Sequence, residues 1–258
     1  MKNTPIPVVT LDGPGGSGKG TVSLRLATQL GWQMLDSGAL YRGLALAAHR
    51  HNVSLENEMA LANLATHLEL QFEPLPDLSV TQVILEGQDV SRALRSEACG
   101  TAASQIATKP AVRQALLARQ RAFLNAPGLV ADGRDMGTVV FPSALIKIFL
   151  TASIEERAKR RYKQLIDIGI DAKLSTLITE IAERDQRDST RNIAPLMPAD
   201  DALIIDTSGV SIDNVVACIL SVIRKKSYQL LICTLNTLYL YSITDNLMSD
   251  NFNFKGLE

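Results

Sequence analysis

Between Asp12 and Thr21 the chain reads Asp-Gly-Pro-Gly-Gly-Ser-Gly-Lys-Gly-Thr. Residue types at this spacing suit one chemistry, the holding of a phosphate chain. Glycines at 13, 15, 16 and 18 let successive amide N–H groups converge on an anion without Cβ clashes. Lys19 adds a mobile cation for terminal phosphates. Before the loop lies an apolar run, Ile6 to Leu11, with β-branched Val8 and Val9. After it, Val22, Leu26 and Leu30 recur at helical spacing, and a helix start contributes partial positive charge. Strand, glycine loop, helix is the context that makes Gly13, Pro14, Gly15, Gly16, Ser17, Gly18, Lys19, Gly20 and Thr21 a phosphate-binding loop rather than a plain turn.

A second set of residues carries charge into places expected to be packed. Leu174, Leu177, Ile178 and Ile181 form an apolar helical stripe, and Arg184, Asp188 and Arg191 prolong it. Arg113 lies at the edge of the stripe formed by Leu116, Leu117, Gln120 and Leu124. Arg134 sits in Asp132-Gly133-Arg134-Asp135, at the carboxyl end of a short buried strand, Leu129 to Ala131, where α/β folds bind ligands. Arg42 follows the segment Asp36-Ser37-Gly38-Ala39-Leu40-Tyr41. An unpaired buried charge costs several kcal/mol, so each arginine needs a partner. Asp135, Asp185 and Asp188 are candidate ion-pair partners, but several arginines beside a phosphate loop call for anions of their own. Two phosphorylated ligands would supply them: ATP on the loop, and an acceptor that also bears phosphate. Catalysis would then be positioning plus charge neutralisation, with no general base needed when the nucleophile is an ionised phosphate oxygen. The basic run Arg157, Lys159, Arg160, Arg161, Lys163 reads either as a solvated helix face or as a lid over the ATP phosphates.

The elements that must hold these groups alternate strand and helix. Gly31 reads as a C-cap, Asp36 or Ser37 as the cap of a helix to about His51, and Glu56 to His67 as another helix. The period then changes: Leu68 to Phe72 and Val80 to Glu86 alternate like strands, and Glu86-Gly87-Gln88-Asp89 is a tight turn. Helices follow from Arg95 to Ile106 and from Lys109-Pro110 onward. Leu145 to Leu150 and Ala202 to Asp206 are strands, Ser153-x-x-Glu156 is a capping box, Pro195 ends the helix from Leu174, and Ile212 to Ile223 is amphipathic. This pattern predicts an α/β fold whose parallel sheet is covered on both faces, with a small antiparallel sheet inserted.

A net charge of −1 offers no field for nucleic acid. Cys99, Cys218 and Cys233 have neither disulfide nor metal spacing, which suits a reducing compartment. His49 and His51 lack further ligands at metal spacing and read as a solvated helix end. No leader precedes the first strand. The stretch Leu230 to Ile243 is too short to span a bilayer and is broken by Asn236. The chain therefore reads as a cytoplasmic protein with no membrane partner, and residues 227–258 as an appendage outside the catalytic fold.

These segments together resemble the bacterial cytidylate kinases. The resemblance rests on Asp12 to Thr21, on Leu35 to Arg42, on Ala131-Asp132-Gly133-Arg134-Asp135-Met136-Gly137-Thr138-Val139-Val140-Phe141-Pro142, and on Glu183 to Asp188. The third segment is very specific; the loop alone is not. With Gly20 after the lysine and the hydroxyl one place later at Thr21, the loop is similar to that of nucleoside monophosphate kinases, which suggests that Mg²⁺ is held largely by phosphates and water. The resemblance covers about residues 5–226. It implies a P-loop NTPase core of three αβα layers, an acceptor-binding insertion at about 37–108, a short lid at about 155–172, and a monomer. It further implies transfer from ATP, with Mg²⁺, to CMP or dCMP. Ser37, Tyr41, Arg42, Ser104, Arg113, Asp132, Gly133, Arg134, Asp135, Arg184, Asp188 and Arg191 would surround the acceptor. Among them Ser104, Arg113 and Asp135 would face cytosine, Arg184 and Asp188 the sugar hydroxyls, and Arg42, Arg134 and Arg191 phosphate. Lys19, Arg134 and Arg191 would act on the transferred group, and Arg157 and Arg161 would reach ATP from the lid.

Two other readings compete. A kinase for a non-nucleotide acceptor would need fewer phosphate-binding arginines and no base-reading pair such as Arg113 with Asp135. A nucleotide-dependent switch would want Ser or Thr directly after Lys19.

Overall fold

The computed structural model describes residues 6–74, 81–167, 169 and 171–226. The chain divides into two compact units, Met1–Val215 and Val216–Glu258. The described part of the second unit, residues 216–226, is helical. The appendage expected over 227–258 lies outside the described residues.

The first unit is built on five parallel strands. They are β1 (Val8–Asp12), β2 (Gln33–Asp36), β6 (Leu129–Asp132), β7 (Ile146–Thr151) and β8 (Leu203–Asp206), in the spatial order β2-β6-β1-β7-β8. β1 takes the centre because every residue in it is buried, as both faces of a covered parallel sheet require. Its neighbours pair in register, Thr10 with Ala131 on one side and Leu11 with Ile148 on the other. All strands therefore present their carboxyl ends at one edge, where the phosphate loop leaves β1.

The helices on this sheet start and stop where local chemistry dictates. Helix α1 (Lys19–Leu30) buries Val22 and Leu26 and ends at Gly31, whose left-handed φ of 65° allows the cap. Helix α2 (Ser37–Arg50) is capped by Asp36, which accepts from the Ala39 amide at 2.9 Å. It buries Tyr41 and Ala45 as well as the expected Leu40, Leu44 and Ala48, because it is covered on more than one side. Helix α3 (Glu58–Thr66) follows, then the antiparallel β3 (Leu70–Pro74), β4 (Thr81–Leu85) and β5 (Gln88–Asp89). Glu86 and Gly87 both take positive φ in the two-residue turn between β4 and β5, the twist a tight hairpin needs. Val80, expected to begin β4, lies outside the described residues. Helices α4 (Glu97–Ile106) and α5 (Pro110–Arg121) complete this part. One apolar cluster runs through Leu35 and Leu129 of the sheet, Leu44, Leu61, Leu85 and Leu116, so the inserted elements share their core with the β2–β6 side of the sheet.

Helices α6 (Ile154–Asp167) and α7 (Leu174–Thr190) pack through a small cluster of their own, Ala158, Leu165 and Leu177 with Ile178 and Ile181. The expected capping box forms by half. Ser153 Oγ accepts from the Glu156 amide at 3.2 Å, but the Ser153 amide donates to Ser208 Oγ, and Glu156 lies 3.6 Å from Arg160. Among the described residues no helix is long and apolar enough to cross a membrane.

Candidate active site

The loop from Gly13 to Gly18 wraps the start of α1 and places Lys19 inside it. Gly13 has φ of 142°, and a Cβ there would stand 1.9 Å from the Leu150 carbonyl oxygen, so no side chain fits. Gly18, at φ of 91°, is the left-handed N-cap of α1. Lys19 is buried and its Nζ donates to the Pro14 carbonyl at 2.8 Å, with Ser17 Oγ 3.4 Å away. Burial, and then the Arg134 guanidinium, lower its pKa to about 7. Thr207, just past β8, braces the loop from behind, its hydroxyl 3.0 Å from both the Ser17 and Thr151 carbonyls.

Asp132 ends β6 and faces the start of α1, one carboxylate oxygen 3.7 Å from where a Cβ on Gly20 would stand. Burial drives its pKa up to about 7, Lys19 opposes this, and nearby Asp36 adds to it.

Arginines and aspartates meet beside this loop. A Cβ on Gly15 would sit 3.6 Å from Arg134 Nη2 and 3.7 Å from Arg184 Nη1. Arg134 Nε donates to Asp188 Oδ2 at 3.2 Å, Arg184 Nε is 4.0 Å from the same oxygen, and Ser104 Oγ donates to Asp188 Oδ1 at 2.9 Å. Burial alone would raise the Asp188 pKa. Arg134, Arg184 and the Ser104 hydroxyl together more than offset it, and the carboxyl stays below its usual range. Burial, then Arg134 and Arg42, lower Arg184 to about 10. Farther in, Arg113 pairs with Asp135, both buried. Tyr41 and Arg191 act on that pair electrostatically; burial lifts the Tyr41 phenol to about 12 and lowers Arg191. Ser37 Oγ donates to Gln120 Oε1 at 2.9 Å, and Gly133 continues β6 by donating to the Leu11 carbonyl at 3.0 Å.

Several cationic nitrogens here are buried with no hydrogen-bond partner: Arg42 Nε, Arg184 Nε and Arg191 Nη2, together with the Tyr41 hydroxyl. A buried donor left unmade costs about 1–3 kcal/mol, more when charged, so these donors suit the anionic oxygens of a ligand.

The basic run on α6 splits three ways. Arg157 turns inward, donates to the Gly15 carbonyl at 3.1 Å and pairs with Asp185. Arg160 reaches Thr207, with 3.0 Å to its hydroxyl and 2.6 Å to its carbonyl. Arg161, one turn after Arg157, pairs instead with Glu97 and donates to the Arg95 carbonyl. Lys159 and Lys163 are exposed. In the sequence Arg160 stands only as one member of the basic run, with no partner assigned, and Thr207 and the side chain of Asp12 are not singled out. Thr207 and Asp12 both stand at carboxyl ends of parallel strands, the signal that would have found them. Among the described residues no three His, Cys, Asp or Glu side chains converge to hold a metal ion, and His51 meets Glu86 at 2.5 Å instead.

The family model for cytidylate kinase matches residues 9–225. The chain belongs to the cytidylate kinase family. A cytidylate kinase of Shewanella baltica (strain OS155 / ATCC BAA-1091) is 61% identical over 220 residues, covering 85% of this chain and 96% of that protein. One from Shewanella loihica is 59% identical over 220 residues, with 85% and 95% covered. One from Shewanella amazonensis is 61% identical over 211 residues, with 82% and 91% covered. The site described above lies wholly inside the matched span, so the loop and the arginine set are parts of a cytidylate kinase domain.

Proposed function

We infer that this chain transfers the terminal phosphoryl group of ATP to CMP or dCMP, giving ADP and CDP or dCDP. The observation that carries the reading is the approach of Arg134 and Arg184 to Gly15, where an added Cβ would stand 3.6–3.7 Å from their guanidinium nitrogens. Arginines tied to the acceptor side by Asp188 stand against the loop that holds the donor. A phosphate oxygen of the acceptor forms the new bond to the γ-phosphorus, and the bond from that phosphorus to the β–γ bridging oxygen breaks, leaving the electron pair on ADP. The loop amides and Lys19 hold the donor phosphates, and Arg134 and Arg191 neutralise charge on the group in flight. The acceptor's phosphate is ionised already, so no side chain has to remove a proton.

On this reading Ser104, Arg113 and Asp135 recognise cytosine. An exocyclic amine wants a carboxylate acceptor, and the ring nitrogen and carbonyl want donors, which these three residues offer. Arg184 and Asp188 take the sugar hydroxyls, Arg42, Arg134 and Arg191 the acceptor phosphate, and Ser37, Tyr41, Asp132 and Gly133 line the site. Asp132 also fits a hydrated Mg²⁺. A buried carboxylate beside Lys19 and Asp36, facing the loop, can accept from the ion's water shell. Bound there, Mg²⁺ would neutralise charge on the β- and γ-phosphates. Arg157 and Arg161 belong to a lid over about 155–172 that closes on ATP and excludes water. We further assign residues 1–226 as a monomeric cytoplasmic catalytic domain and 227–258 as an extension outside it.

The test is ADP release from Mg²⁺-ATP with CMP, dCMP, UMP, AMP and shikimate supplied singly. CMP and dCMP should exceed the others by orders of magnitude. Equal turnover of AMP or shikimate would overturn the reading.

A further inference from the structure

Asp12 ends β1 one residue before the phosphate loop, yet its carboxylate turns toward a different segment. Oδ1 accepts from the Met136 amide and Oδ2 from the Gly137 amide, each at 2.8 Å. These two donors open the single wide turn Met136–Val140. Later amides of that turn, those of Val139 and Val140, return to the Asp135 carbonyl at 2.9 and 3.1 Å. The preceding anchor is the Gly133 amide on the Leu11 carbonyl, at 3.0 Å. Two successive residues of β1 therefore grip the chain at 133 and at 136–137. Between the two grips lie only Arg134, which meets Asp188, and Asp135, which meets Arg113. The turn is drawn tightly against the sheet: a Cβ on Gly137 would stand 2.9 Å from Thr10 Oγ1 and 3.1 Å from Lys147 Cδ.

We propose that Asp12 is a positioning residue for the acceptor side: although it opens the donor loop, its carboxylate fixes the backbone that aims Arg134 and Asp135 at the nucleotide acceptor. The proposal rests on the assignment of Asp135 to the base under Proposed function. A bidentate ionised acceptor on two adjacent amides is stronger and more directional than a neutral one. Burial raises the Asp12 carboxyl to about 6 with Asp135 adding to the rise, while the two amides and Lys19 oppose it. At neutral pH the group is thus charged and held by those bonds.

Asp12→Asn keeps the shape and turns one acceptor into an N–H donor facing an amide N–H. One lost charge-assisted bond is worth about a factor of ten or more. We expect the KM for CMP to rise roughly tenfold and the preference for CMP over UMP to fall, with the KM for ATP within about twofold of wild type. Thr10→Val, which removes a buried hydroxyl that has no hydrogen-bond partner on the same strand, should leave all three unchanged. Should Asp12→Asn fail to fold, Gly137→Ala displaces the same turn from its other side and should give the same split. Amide hydrogen exchange at Met136 and Gly137, faster in Asp12→Asn than in wild type, reads the grip without turnover, so a failure of the CMP assignment shows separately as a wild-type chain idle with CMP. An equal or larger rise in the KM for ATP, a lower Tm with unchanged kinetics, or unchanged exchange at 136–137 would each overturn the proposal.

Discussion

On the proposed reading, the donor loop and the acceptor side would hold anions by different means. From Gly13 to Lys19 the loop offers main-chain amides and one ammonium, all within seven residues of sequence. The acceptor side uses side chains from α2, α4, α5, the segment after β6, and α7, and apart from Arg184 with Asp188, one helical turn apart, its paired partners are distant in sequence: Ser104 meets Asp188, Arg113 meets Asp135, Arg134 meets Asp188. A backbone site is set once the loop conformation is set, and its sensitivity is steric. A side-chain site is held by exchangeable ion pairs, and its sensitivity is electrostatic: each pair can trade a protein partner for a ligand oxygen.

The largest effect should come from the one side chain on which the donor site depends. Lys19→Met should lower kcat by about 10²–10³-fold, the usual cost of removing one donor to developing charge, with little change in the KM for CMP. A comparable rise in that KM would show the two sites are not separable as described.

Steric sensitivity is sharpest at neighbouring glycines. Gly13→Ala would bring a Cβ to 1.9 Å from the Leu150 carbonyl oxygen at φ of 142°, and should cost about 2–5 kcal/mol of stability in thermal or denaturant unfolding. Gly15→Ala meets the ends of the Arg134 and Arg184 side chains at 3.6–3.9 Å, and should fold normally while losing activity. If both fold alike, the loop is less fixed than the geometry requires.

A smaller effect joins the sites through charge. With Lys19 lowered to about 7, the free protein at pH 8 holds it mostly neutral, and a bound polyphosphate favours the ammonium. ATP binding should therefore take up a fraction of a proton at pH 8, and the uptake should fade below pH 6, where Lys19 is already charged. Calorimetry in buffers of different ionisation heat measures it, and Lys19→Met should reduce it to the share taken up by Asp132, which burial also raises to about 7. The smallest effect is expected from ending the chain at Lys226. The family match stops at residue 225, and kcat and both KM values should stay within about twofold of the full chain; a larger loss would place the extension in the catalytic fold.

The same contrast explains what could be read from sequence. The donor loop was legible because its residues are contiguous and backbone chemistry depends on glycine spacing. The parallel sheet, the hairpin and the caps at Asp36 and Gly31 were legible for the same local reason. The stripe on α7 marked Arg184, Asp188 and Arg191 as inward-facing, but not which partner each would find. The basic run on α6 could not be resolved into Arg157 on Gly15, Arg160 on Thr207 and Arg161 on Glu97, because these three positions, at i, i+3 and i+4, share one helical face and only the partners, on three other segments, separate them. Asp12 was visible as part of a motif. Its bonds to residues 136–137 were not, since they depend on β1 and β6 being neighbours in the sheet.

The most direct test of the acceptor account is the ratio of kcat/KM for CMP to that for UMP, measured on wild type and on Asp135→Asn, with the KM for ATP followed in parallel. Asp135 is the acceptor expected to meet the cytosine amine. The ratio should fall by about tenfold or more in the variant, while the KM for ATP stays within about twofold. An unchanged ratio, or a loss that falls equally on CMP, UMP and ATP, would contradict the assignment and leave the Arg113–Asp135 pair as a structural tie.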